Sequence, residues 1–153
     1  MVSMTSEHLS WVAVTAAERD AAIALLPNAD QQDFIATNAD SLAEADANPA
    51  CAPVLLRLGT KPVGFAMYAL DNDDGNYWIY RFMIDRAHQS RGYGTKGLAA
   101  LIDHIVNTTH CPRIMLGVKP ANVVARRLYD RAGFMPAGFD IDGETVLCLE
   151  AGA

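Results

Sequence analysis

The stretch Gln89-Ser90-Arg91-Gly92-Tyr93-Gly94 decides how the rest of this 153-residue chain is read. Before it, Tyr77–Ile84 is rich in aromatic and β-branched residues and reads as a central strand. A loop from Asp85 to Arg91 follows, and Gly92–Thr108 then reads as a helix. In that helix Leu98, Leu101, Ile102 and Ile105 fall at i, i+3, i+4 and i+7, so one face is buried. A junction of this kind leaves backbone N–H groups without partners at the positive end of the helix dipole, which suits phosphate oxygens. Gly92 and Gly94 allow a ligand to approach the backbone closely, and Arg91 and Lys96 add positive charge. A plain turn tolerates two glycines as well, so the context has to decide.

Two familiar phosphate loops fail on that context. Gly92-Tyr93-Gly94-Thr95-Lys96-Gly97 matches the dinucleotide pattern G-x-G-x-x-G. That pattern requires its first glycine directly after a strand and an acidic residue on the next strand. Here a loop intervenes, and the next strand-like run, Arg113–Val118, has no Asp or Glu. A P-loop needs Gly-Lys followed by Ser or Thr, whereas Gly97 is followed by Leu98.

Working outward, Trp11–Val14 reads as a first strand, followed by a helix over Ala16–Leu26 that Thr15 and Glu18 open as a capping box. A second helical stretch runs from about Asp30 to Ala47, with Phe34, Ile35, Leu42 and Ala45 as a rough apolar stripe. Val54–Leu58 and Val63–Leu70 are strands joined by a turn, and Asp71 to Asn76 is a second turn whose Asp74-Gly75 pair suits a tight hairpin into the central strand. Ala121–Arg131 is a helix with Val124, Leu128 and Ala132 on its inner stripe and Gly133 as its C-terminal cap. Met135–Phe139 and Thr145–Glu150 are last strands around Asp142-Gly143. The order β-α-α-β-β-β-α-β-α-β-β predicts one α/β domain over residues 1–153, a mixed central sheet flanked by about four helices.

Composition narrows the function classes. A formal net charge of −6 disfavours nucleic acid and anionic lipid, and leans the substrate question toward cations. No apolar run approaches the roughly 18 residues of a membrane span. Residues Met1 to Ser10 lack the basic flank and apolar stretch of a signal peptide. Cys51, Cys111 and Cys148 are odd in number and far apart, as expected for buried, reduced thiols of a cytoplasmic protein. His8, His88, His104 and His110 show no metal spacing, so no metal is expected. Nothing in the sequence sets the oligomeric state; a homodimer is the commonest default.

With both phosphate loops excluded, the stretch Phe82-Met83-Ile84-Asp85-Arg86-Ala87-His88-Gln89-Ser90-Arg91-Gly92-Tyr93-Gly94 resembles the acetyl-CoA signature of the GNAT superfamily of N-acetyltransferases, whose core is Q/R-x-x-G-x-G/A after a strand. Asn122 through Tyr129, then Gly133-Phe134, resembles the second family signature, N-x-x-A-x-x-x-Y…G-F. The resemblance implies that backbone groups of Phe82 and Ile84 pair with the pantetheine arm of acetyl-CoA like an added strand. It implies that N–H groups from Gln89, Ser90, Arg91, Gly92, Tyr93 and Gly94, with Thr95, wrap the pyrophosphate, and that Asn122 contacts the cofactor. Lys119, Arg126 and Arg127 are the basic residues available to its ribose phosphate.

Tyr129 matches the family's usual general acid. A phenol against the sulfur can protonate the departing thiolate, whose reference pKa is about 8.5. The residue also falls on a helical stripe beside Ala125 and Ala132, where a plain core role would place it. Many members carry a basic Glu or Asp on the central strand, but Tyr77–Ile84 contains no carboxylate. The base is then a remote group acting through water, or Tyr80, or the acceptor arrives already neutral.

Within that family the chain resembles the bacterial spermine/spermidine acetyltransferase subgroup, through Gly64–Tyr68, Arg81–Asp85, Gln32–Ala45 and the hairpin Asp140–Glu144. The implied acceptor is a small primary amine such as a polyamine. Among the acidic turns, Asp140, Asp142 and Glu144 are the candidates to pair with it, although acidic turns are commonly just solvated. A peptide or protein amine is the rival acceptor, and a non-catalytic acyl-CoA-binding module is the rival function.

Overall fold

A computed structural model of the chain describes residues 8–29, 32, 36–89 and 91–151. Its strands are β1 (Leu9–Ala13), β2 (Cys51–Leu58), β3 (Lys61–Leu70), β4 (Tyr77–Ile84), β5 (Arg113–Val118), β6 (Met135–Ile141) and β7 (Glu144–Glu150). Its α-helices are α1 (Arg19–Ala24), α2 (Asn38–Ala47), α3 (Tyr93–Thr109) and α4 (Val123–Ala132). The strands form one sheet in the order β1-β2-β3-β4-β5-β7-β6. All neighbours are antiparallel except β4 and β5, which run parallel and are connected through α3.

The expected mixed α/β sheet with four helices is therefore present, and β4 and β5 have the bounds read from sequence. The first helices are shorter than their periodicity suggests. The Thr15–Glu18 capping box forms, with the Thr15 N–H donating to the Glu18 carboxylate at 3.1 Å, but it opens a 3-10 turn before α1. Leu25 is already extended (φ −75°, ψ 133°), one residue before Leu26, the position from which Pro27 would exclude helix in any case. The second helix starts at Asn38 rather than near Asp30, since the Thr37 hydroxyl accepts from the Asp40 N–H at 3.1 Å and caps it there. Asp30, the expected start, and Phe34 and Ile35 of the expected stripe lie outside the described residues.

α3 and α4 cover one face of the sheet, burying Leu98, Leu101 and Ile105 of α3 against Leu56, Ile79, Ile114 and Leu147. α1 and α2 cover the other face over Leu55, Phe65, Met67 and Met83. Two close approaches set the register of these layers. The Trp11 indole N–H donates to the Gly97 carbonyl at 2.9 Å in the interior, tying β1 to α3. At Gly64 a Cβ atom would stand 2.8 Å from the Met83 carbonyl oxygen, so β3 meets β4 only because that side chain is missing. Cys51 and Cys111 are buried and Cys148 half-buried, all as free thiols. Among the described residues no helix is long and apolar enough to cross a membrane.

Because the obstruction at Gly64 is backbone, Gly64→Ala should lower stability by about 1–3 kcal/mol, the usual range for overpacking. Chemical denaturation checks this, and an unchanged midpoint would show that β3 can move off β4.

Candidate active site

β4 and β5 pair at only three positions, Tyr77 with Ile114, Trp78 with Met115 and Ile79 with Leu116. Beyond them the strands part. From Tyr80 onward β4 keeps β3 on one side and has no strand on the other, while β5 stays paired with β7 through Val118. Unpaired strand edges leave N–H and C=O groups that need partners. The slot between the strands is therefore suited to a ligand with amides of its own.

A β-bulge lies where the slot opens. Met67 pairs with Arg81 and Tyr68 with Ile79, so Tyr80 is an extra residue in β4. The bulge shifts the side-chain alternation by one. Tyr77 and Ile79 before it and Phe82 and Ile84 after it all join the α3–α4 face, whereas Met83 packs under α1 and α2. Strict period-two alternation cannot do this. Burial first, then the carboxylates of Asp71, Glu44 and Asp74 and the Cys51 thiol, push the Tyr80 phenol above its ordinary value. Phenolate is thereby disfavoured, which argues against Tyr80 as the base.

The glycine loop sits beside the slot. Gly92 takes φ 79° and is the N-cap residue of α3, where it has no side chain to offer as a cap. A Cβ at Gly92 would meet nothing within 4 Å, so its open space is outside the protein and faces whatever approaches. Gln89 fixes the loop, donating to the Ile84 carbonyl at 2.9 Å and accepting from the Asn28 amide. The chain after α1 clamps the same loop, through Asp85 accepting from the Leu26 N–H at 2.9 Å and Arg86 N–H donating to the Leu26 carbonyl at 2.7 Å. Ser90 lies outside the described residues.

α4 forms the far wall. The Asn122 side chain accepts from the Ala125 N–H at 3.3 Å and caps the helix, while Gly133 closes it at φ 103°. Val124, expected on the inner stripe, is 65% exposed, because that face of α4 lines a cleft instead of the core. Tyr129 is buried, its ring edge-to-face with Phe134 at 5.9 Å. Burial first, and then the charge of Glu144, push its phenol up to about 12.

Two hollows meet at this wall, and both touch Phe82, Asn122, Ala125 and Tyr129. The first, about 360 Å³, holds the loop elements Gln89, Gly92, Gly94 and Thr95, with Ile84 on the strand side. The second, about 550 Å³, opens toward Ala36 before α2 and toward the β6–β7 hairpin. Its carboxylates are Asp71 and Glu144. Asp71, after the end of β3, opens the six-residue turn Asp71 to Asn76 that the sequence marks, a longer connection than the two-residue hairpin that Asp74-Gly75 alone suits. Asp71 and Asp74 accept the N–H groups of Asp73 and Asn76, both at 2.8 Å, and so stabilise the longer loop.

Phe82, Ile84, Gln89, Gly92, Gly94, Thr95 and Asn122 are thus gathered on one hollow, with Tyr129 at its junction with the other. The Tyr93 side chain is buried, and Arg91 lies on a different hollow with Lys61 and His88. Of the acidic trio only Glu144 lines the second hollow; Asp140 is exposed, and Asp142 occupies the left-handed turn of the hairpin (φ 51°). Lys119 lines the second hollow rather than the first, and Arg126 pairs with Asp130 at 2.9 Å. The basic residue on the first hollow is Arg131, which sequence reasoning missed. It follows Val124 and Leu128 at i+7 and i+3, so the helical period pointed to it. Among the described residues no three His, Cys, Asp or Glu gather as a metal site.

The chain matches the family model described as acetyltransferase (GNAT) family over residues 8–134, and it belongs to that family. It is 38% identical to the spermine/spermidine N(1)-acetyltransferase of Bacillus subtilis (strain 168), over 90% of this chain and 95% of that protein. It is 28% identical to an aminoglycoside N(6')-acetyltransferase type 1 of Klebsiella pneumoniae, over 60% of this chain and 51% of that one. Its fold superposes on an aminoglycoside acetyltransferase in complex with coenzyme A and kanamycin, with a TM-score of 0.76 at 21% identity over 94% of this chain and 95% of that one. It also superposes on the spermidine N-acetyltransferase of Vibrio cholerae in complex with coenzyme A and spermine, with a TM-score of 0.70 at 16% identity and 92% coverage of each chain. The chain is an acetyl-CoA-dependent N-acetyltransferase, with acetyl-CoA as co-substrate.

Acetyl-CoA should therefore raise the melting temperature, with about 2.7 kcal/mol of stabilisation at a hundredfold excess over Kd. NAD and ATP should not. Gly92→Val should shrink the acetyl-CoA shift by obstructing the backbone, and should lower the baseline as well, since φ 79° strains a branched residue. A full shift retained in the variant would place the phosphates elsewhere.

Proposed function

We propose that this enzyme transfers acetyl directly from acetyl-CoA to a primary amine of a polyamine such as spermidine or spermine. The observation that carries this reading is the second hollow, which joins the thioester slot at Tyr129 and has Asp71 and Glu144 on its wall. A flexible chain of amines can pair one cation with a carboxylate while another amine reaches the slot. Arg81 also faces this hollow, but its charge is met by Glu44 at 2.9 Å. The 38% identity to a spermine/spermidine acetyltransferase over nearly the whole chain supports the same substrate class.

In this reading Phe82 and Ile84 pair with the amides of the pantetheine arm, and the glycine loop at the start of α3 receives the pyrophosphate at the positive end of the helix dipole. The amine enters from the α2 side of the sheet and attacks the thioester carbonyl in the slot. Tyr129 stands on the α4 side. Held neutral by burial, its O–H donates to the sulfur as the carbon–sulfur bond breaks.

An acetyl-CoA turnover assay with thiol release as readout tests the substrate. Spermidine should be acetylated faster than a neutral-tailed monoamine of similar length, and its advantage should shrink with added salt as charge steering is screened. Kanamycin turned over in preference to spermidine would replace the polyamine reading with an aminoglycoside one. Tyr129→Phe should lower kcat by roughly 10²–10⁴ while the KM for acetyl-CoA moves little. A folded variant at wild-type turnover would return Tyr129 to a packing role.

A further inference from the structure

We propose that Glu144, reaching into the slot from β7, is the group that takes the proton from the acceptor ammonium. This deepens the acetyl-transfer reading above and rests on it. An alkylammonium has a pKa near 10.4, so at neutral pH an amine needs a base before it can attack. β4 supplies no carboxylate, and burial and nearby acidic groups disfavour ionised Tyr80.

Glu144 is placed for the task by a gap in the neighbouring strand. It begins β7, two residues before Val146, which pairs with Gly117 of β5. Its side chain folds back over Gly117 so closely that a Cβ there would lie 2.5 Å from a carboxylate oxygen and 3.3 Å from the Glu144 Cβ. Gly117 is the first β5 residue past the last β4–β5 pair, Ile79 with Leu116. The carboxylate therefore lies over the mouth of the slot. Alternation along β7 and β5 puts Glu144 and Val146 on the same sheet face as Trp78 and Met115, which form one cluster. Tyr129 packs in the α3–α4 cluster on the opposite face. Base and acid thus stand on opposite sides of the sheet, near enough across the slot for the Glu144 charge to act on the Tyr129 phenol. The other ionisable groups facing this hollow are Asp71 from the β3–β4 loop, Tyr80 and Arg81 from β4, and Lys119 after β5.

The step balances. The ammonium gives one proton to the Glu144 carboxylate, and the nitrogen lone pair forms the C–N bond to the thioester carbon. The C–S bond breaks with its electron pair on sulfur, which takes the Tyr129 proton. The nitrogen's next proton restores Tyr129, and Glu144 releases its own to solvent. The products are the amide, the free thiol and one proton.

The test is the pH profile of Glu144→Gln between pH 6.5 and 9.5, beside Glu144→Asp, Gly117→Ala and Tyr129→Phe. Wild type is run first with spermidine; failure to acetylate spermidine overturns the polyamine reading alone, and kanamycin then serves as acceptor. Glu144→Gln should lose roughly 10²–10⁴ in kcat at pH 7. Its kcat/KM should climb about tenfold per pH unit toward the amine pKa, since only amine already neutral reacts. Glu144→Asp should recover part of the rate with a flatter profile. Gly117→Ala should reproduce the steep profile by displacing the carboxylate, and Tyr129→Phe should lose the same factor at every pH. Calorimetric affinity of spermidine for the coenzyme A complex should fall far less in Glu144→Gln than kcat does. A pH-independent loss, a change confined to the acceptor KM, or wild-type turnover in folded Glu144→Gln would each overturn the assignment.

Discussion

The parting of β4 from β5 is the constraint on which the site depends. Three paired positions hold two part-sheets together, β1–β4 on one side and β5–β7 on the other. Each side is firmly paired within itself, so the separation does not unravel the fold. The bulge at Tyr80 turns the outer half of β4 away, because an extra residue in one strand increases local twist. The consequence is a slot through the sheet, with a separate layer of helices on each face. One ligand can then enter from the α3–α4 side and another from the α2 side, meeting edge-on in the plane of the strands.

The slot also explains why so many polar groups around it are committed elsewhere. Gln89, Asp85 and Arg86 spend their hydrogen bonds on Ile84, Leu26 and Asn28, which fixes the loop at the end of β4 before any ligand arrives. Asn122 caps α4 and so fixes the wall that carries Tyr129. If this turn holds the phosphates as proposed, a loop prepared in this way loses little further entropy on binding.

What was legible in the sequence follows the range of the interactions involved. β4 and β5 declared themselves through apolar and β-branched runs, and α3 through its period, because these depend on burial of one segment at a time. Thr37 as a cap within an apolar stretch, and Leu25 leaving the helix early, are local features that periodicity overrode. Val124 shows the opposite error: an apolar residue at helical spacing faces a ligand cleft, which the pattern cannot distinguish from core. The Tyr80 bulge was illegible because it exists only in the register between β3 and β4. Glu144 was visible as one acidic turn residue among several. Only the pairing of β7 with β5, and the missing side chain at Gly117, separate it from Asp140 and Asp142.

In the proposed transfer, the same geometry bears on how an acid as weak as Tyr129 would serve. With its phenol pushed up to about 12 by burial and an ordinary thiol near 8.5, handing the proton to a free thiolate is uphill. A weak donor still stabilises charge growing on sulfur through its hydrogen bond, and in a dry site that bond is strengthened. The handover becomes favourable once nitrogen, bonded to the acyl carbon, carries a proton far more acidic than the phenol. That proton can refill Tyr129 only if the first one has already left in the other direction. A carboxylate on the far face, beside the entering ammonium, supplies that direction. In this reading the buried phenol and the half-exposed carboxylate work as a pair because the sheet lies between them, and the slot is the one place where both reach the same carbon.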